Sequence, residues 1–74
     1  MKPVRYHLIL NPRSKGGTAV RRFSKIFSLM GKAGLDYDFV LAETYESIME
    51  AAYTATENGY DVIVAVGGDG TINA

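Results

Sequence analysis

The chain has no cysteine and no tryptophan, only two prolines and a single histidine among its 74 residues. Without cysteine, neither a disulfide framework nor a thiolate metal site is available. Nor is there any apolar run near the ~20 residues that crossing a bilayer requires. The apolar stretch close to the N-terminus is short and ends at Asn11-Pro12, which argues against a secretion signal. These absences point to a mature chain that starts near Met1 and works in the cytoplasm, contact with the inner membrane face remaining open. Charge is also missing locally: no acid precedes Asp36, and no lysine or arginine follows Lys32. The net charge is zero, so the two halves are balanced yet segregated. Either the basic half faces an anion, phosphate or an acidic membrane, or folding interleaves the halves into a mixed surface.

What is present is ordinary for a globular protein, with 47% hydrophobic and 22% charged residues. A chain this short forms one domain at most. It buries only about 60% of the surface that its unfolded form exposes, which leaves little margin of stability.

Three strands and two helices can be read along it. Val4 to Leu10 has the β-branched and aromatic content of a strand, and Asn11 to Gly17 is dense in turn formers. Thr18 is placed to cap a helix whose apolar face is Val20, Phe23, Ile26, Phe27 and Met30, with Gly34 as its stop. Asp36 to Leu41 alternates as a second strand. Ser47-Ile48-Met49-Glu50 fits a capping box, and Ile48, Ala51, Ala52 and Ala55 line the helix behind it up to Asn58-Gly59. Val62 to Val66 is an unbroken apolar strand, the pattern of a strand buried on both faces. The order β-α-β-α-β with short loops predicts an α/β fold, a doubly wound unit with a parallel three-stranded sheet. Thr71 to Ala74 reads as the first turn of a further helix, so the expectation is the N-terminal part of a larger domain.

Two loops carry the chemistry. Gly67-Gly68-Asp69-Gly70-Thr71 follows the apolar strand directly and precedes a helix start. Glycines there allow positive φ and open the backbone N–H groups to an anion, which the helix N-terminus also favours. Asp69 repels phosphate, and makes sense either as an indirect Mg²⁺ ligand or as an anchor for backbone N–H groups. A plain tight turn is the alternative. The Walker and dinucleotide glycine patterns are both absent. The first loop repeats the logic with Asn11, Pro12, Ser14, Gly16 and Gly17, and adds the charges of Arg13 and Lys15. Here the alternative is a solvated basic loop. Thr44 suits a loop contact or a helix start equally. His7 has no catalytic partner nearby in sequence and reads as a packing or hydrogen-bonding residue. The tyrosines at 37, 45, 53 and 60 read as core edges and surface anchors.

Asn11-Pro12-x-Ser14 after a first strand, with Gly67-Gly68-Asp69-Gly70-Thr71 after a third, resembles the catalytic domain of the diacylglycerol kinase family. Thr44 and Gly59-Tyr60-Asp61 match as well, so the likeness spans the chain. It implies a larger Rossmann-like three-layer domain, ATP and Mg²⁺ as cofactors, and phosphorylation of a membrane lipid hydroxyl such as that of diacylglycerol. Carried over by position, Asn11, Ser14, Thr44, Gly68, Asp69, Gly70 and Thr71 surround the nucleotide. The neighbouring Gly16, Gly17 and Gly67 belong to the same two turns. The sequence departs from the family pattern at Lys15, where a glycine is usual, and at Ala74, where a glutamate is frequent. No residue stands out as a catalytic base, so the 74 residues are expected to be inactive alone. The glycine turn is shared with NAD kinases, and a non-catalytic nucleotide-binding module is a further alternative. The resemblance implies strand order 3-2-1, whereas an order of 2-1-3 would set the two glycine loops side by side.

Overall fold

The computed structural model describes residues 3–13 and 18–66 of the chain. Its elements are β1 (Arg5–Leu10), α1 (Thr18–Lys32), β2 (Asp36–Leu41), α2 (Tyr45–Glu57) and β3 (Val62–Val66). All three strands run parallel, as a β-α-β-α-β α/β fold requires, and the sheet order is β2-β1-β3. This corrects the order 3-2-1 implied by the family resemblance. The first strand is central, not marginal, because the second crossover passes back over it.

Register and alternation then assign the faces. Leu8 stands level with Phe39 and Val64, and His7 with Asp38 and Ile63. Successive side chains point to opposite faces, so Leu8 and Leu10 share one face and His7 and Ile9 the other. Helix α1 covers the first face: Phe23 joins Leu8, Leu10 and Val66 in the core, with Ile26, Phe27, Met30 and Tyr37 packed around them. The Phe27 ring lies 4.9 Å from that of Phe39 and 5.9 Å from that of Tyr37. Helix α2 lies over the second face, where Ala55 is fully buried. Its small residues let the helix come close to the sheet.

Burial departs from the sequence reading in two places. Val62 to Val66 was expected to be buried on both faces, but only Val66 is, and Val64 is exposed. Among the described residues β3 pairs only with β1, and Phe27 of α1 leans towards Tyr37 and Phe39 of β2. The strand buried on both faces is β1, where Leu8, Ile9 and Leu10 are nearly inaccessible. Val20, expected on the apolar face of α1, is 61% exposed. It stands one turn before Phe23, and nothing among the described residues covers it.

The helix ends follow local chemistry. Both helices close in Schellman motifs. In α1, Leu35 donates to the Met30 carbonyl at 3.1 Å and Gly34 takes φ +70°. In α2, Tyr60 donates to Ala55 at 3.3 Å and Gly59 takes φ +81°. The capping box of α2 sits one turn earlier than Ser47–Glu50. Thr44 is the N-cap: its Oγ1 accepts from the Ser47 N–H at 3.0 Å, and the Ser47 Oγ accepts from the Thr44 N–H at 3.0 Å. Ser47 thus takes the third helical position, where its Oγ satisfies the Thr44 N–H that Glu50 lies too far along to reach.

Candidate functional site

Open parallel sheets bind ligands outside the carboxyl ends of their strands, where the strand order reverses. Here the first crossover runs from β1 to β2, and the second returns past β1 to β3. The reversal falls between β1 and β3. At that point the Asn11 N–H donates to the Val66 carbonyl at 3.0 Å. On the other side of β1, the Ala42 N–H donates to the Leu10 carbonyl at 2.9 Å. The carboxyl ends of all three strands therefore stand level, with Asn11 in the middle.

Asn11 turns the chain out of the sheet. It is half-buried, and its Oδ1 accepts the Arg13 N–H at 3.0 Å across Pro12, closing an Asx turn. Its amide N–H₂ is then the part of the side chain that suits an anion. Arg13 is exposed at the start of the loop. Ser14, Gly16 and Gly17 lie outside the described residues, as do Gly67, Gly68, Asp69, Gly70 and Thr71. What is described is the position from which each loop departs: Arg13 leads into the first and Val66 into the second. Thr44 lies on the same side of the sheet, with its hydroxyl accepting from the Ser47 N–H and donating to the Ser47 Oγ at 2.9 Å. Among the described residues, no group of three or more His, Cys, Asp or Glu could hold a metal ion.

The opposite half of the sheet holds a polar cluster. Nδ1 of His7 donates to Oδ1 of Asp38, and the Tyr60 hydroxyl donates to Oδ2 of the same carboxylate. The His7 and Tyr60 rings are 4.6 Å apart, and the Arg5 guanidinium lies 4.4 Å from the centre of the Tyr60 ring. Arg5 and Asp61 exchange hydrogen bonds of 2.8 and 2.9 Å, which fixes the start of β3 against that of β1. Burial acts to raise the Asp38 pKa, but hydrogen bonds from Tyr60 and His7, with the charges of His7 and Arg5, bring it below the ordinary carboxylate value. The hydrogen bond to Asp38 pushes the Tyr60 pKa up, burial and the Asp38 charge adding to it. A groove of about 420 Å³ runs beside this cluster between β2 and α2, lined by Val40, Ala42, Glu50, Ala51 and Thr54 among others.

Sequence reasoning gave His7 a hydrogen-bonding role without finding its partner. A signal existed: His7 and Asp38 are each the third residue of their strands. In a parallel pair with level starts, they fall opposite one another.

A family model of the diacylglycerol kinase catalytic domain matches residues 5–74. The chain belongs to the diacylglycerol kinase catalytic domain family. No curated protein and no solved structure matches it. Membership in this lipid kinase-like family covers every described element, so the junction at Asn11 and Val66 is part of a kinase-family domain. Among the described residues, no helix is long and apolar enough to cross a membrane.

Proposed function

We propose that this chain is the ATP-gripping portion of a lipid kinase, with its phosphate site between the loops that leave β1 and β3. The supporting observation is the Asn11–Val66 hydrogen bond, which brings the starts of the two loops together at the reversal of strand order. Phosphoryl transfer is largely positioning and charge stabilisation, and this end of the sheet suits both. Its described parts are the exposed Arg13 and Asn11 with its amide N–H₂, and in sequence the glycines of both turns come just after these strand ends. When bound, Mg²⁺ would neutralise charge on the nucleotide phosphates, and Asp69 is its candidate holder. The acceptor is a membrane lipid hydroxyl, diacylglycerol in the first instance, and the reaction takes place at the cytoplasmic membrane surface.

The chain binds without completing the reaction. A base must take the lipid hydroxyl proton, and His7, the sole histidine, is tied to Asp38 midway along its strand. Calorimetry with Mg-ATP should register weak binding that Asp69→Ala reduces. Incubation with diacylglycerol vesicles and labelled ATP should transfer no phosphate. Absence of any Mg-ATP binding would count against the nucleotide reading, and ordinary turnover against the missing base.

A further inference from the structure

Strand β2 lies at a border of the sheet, where it pairs only with β1 among the described residues. Five of its six residues are exposed, including Phe39 at 49% and Leu41 at 57%. Strands in such positions are usually guarded by charged side chains, lysine above all, by proline or by a bulge. β2 has no lysine or proline, its only charges are Asp36 and Asp38, and its register with β1 runs without interruption from Asp36 to Leu41. The acids Asp36 and Asp38 both lie in its first half, and Asp38 is held by His7 and Tyr60 on the α2 face.

The phase of the backbone is also defined. The Ala42 N–H points into the sheet, to the Leu10 carbonyl. Backbone groups of successive strand residues point to opposite borders, so those of Tyr37, Phe39 and Leu41 point outward. The same three residues carry their side chains on the α1 face. The outward backbone groups and the apolar side chains therefore belong to the same residues.

We propose that β2 is a self-association edge, and that its partner is the antiparallel β2 of a second copy of this chain. A two-fold axis normal to the sheet keeps α1 faces together, which permits only partners of the same parity in residue number. Hydrogen bonding then requires odd residues to oppose odd residues. The register that pairs the whole strand sets Phe39 against Phe39 of the other copy and Tyr37 against Leu41. In this register Asp36 meets Ala42 and Asp38 meets Val40, so no acid opposes an acid. Sliding it by two residues in one direction sets Asp38 against itself, and in the other leaves Tyr37 against Glu43. Charge thus selects the register that pairs Phe39 with itself over its neighbours on either side. The described strands of the two copies then form one continuous sheet about a two-fold axis, which closes the assembly at two chains.

The chain has no cysteine, so single cysteines read the register directly. Hydrogen-bonded antiparallel partners have Cα atoms about 5.5 Å apart, inside the roughly 4.4–6.8 Å range of a disulfide. Mild oxidation of Phe39→Cys should give a covalent dimer. Leu41→Cys alone should not, but its mixture with Tyr37→Cys should. Sedimentation over a concentration series should show a monomer–dimer equilibrium, its dissociation constant raised about tenfold or more by Leu41→Lys. Phe39 packs on Phe27, so the two mixed-cysteine variants and Leu41→Lys decide the matter if Phe39→Cys folds poorly. A monomer at every concentration would overturn the proposal, as would self-crosslinking at position 41 or an association unaffected by Leu41→Lys.

Discussion

The Asn11 N–H and the Val66 carbonyl meet at 3.0 Å, one step beyond the last residue of β1 and at the last residue of β3. This bond couples the departure points of two loops far apart in sequence. It depends on β1 lying between β2 and β3. It also depends on Leu10, which is fully buried beneath the junction.

Leu10→Ala should therefore act on both stability and the site. Removing a buried leucine side chain costs about 2–5 kcal/mol, a large share of what a domain this small can hold. Urea unfolding followed by circular dichroism should show a variant largely unfolded or close to it. Leu29→Ala, at an exposed position of α1, should stay close to the parent.

The glycines separate by conformation. Gly59 takes φ +81°, and a built Cβ would meet nothing within 4 Å, so Gly59→Ala is strained by backbone conformation alone. A cost of about 1–2 kcal/mol is expected. Gly31 lies inside α1 with equally open surroundings and no positive φ. Gly31→Ala should stabilise by about 0.5–1 kcal/mol. Thermal melts of the two variants should move in opposite directions.

The Thr44–Ser47 box has a measurable share. Thr44→Ala removes the acceptor of the Ser47 N–H and should cost about 1 kcal/mol in chemical denaturation. Glu50→Ala should cost much less, since the box does not use it. If Thr44 also touches the nucleotide, the variant will weaken Mg-ATP binding at a temperature where it is fully folded.

Asp38 predicts the dependence on pH. Its folded pKa lies below the ordinary 3.8, so its contribution is present above that value and is lost as pH falls through the lowered one. The group is half exposed, and the contribution is about 1 kcal/mol or less. Asp38→Asn should be less stable than the parent at neutral pH, and the difference should vanish in strong acid. Tyr60 has the opposite sign. Its pKa is raised above 10.0, so its contribution holds below that value and fades as pH rises through the raised one. Tyr60→Phe should flatten the alkaline limb of the stability curve.

Local signals in the sequence were read more faithfully than relationships between strands. All five elements were legible from periodicity and turn chemistry, and Gly34 and Asn58-Gly59 marked true helix ends. Strand order was not, because it depends on which neighbour each crossover reaches. The same gap hid the pairing of His7 with Asp38 and the exposure of the apolar β3. An unbroken apolar strand is needed wherever both faces meet helices or further structure, so composition alone does not locate it in the sheet. The capping box was misplaced for a simpler reason. Thr44-x-x-Ser47 and Ser47-x-x-Glu50 both fit the pattern, and serine at the third position can close it as well as glutamate.

In the proposed function, nucleotide phosphate binds between the loops that follow β1 and β3. Titrating Mg-ATP into isotope-labelled chain and following backbone amides by NMR tests it most directly. Asn11, Arg13, Gly16, Gly17 and Gly67 to Thr71 should shift first, while His7, Asp38 and Tyr60 stay in place. Shifts confined to the His7–Asp38–Tyr60 end, or to the groove beside α2, would contradict it.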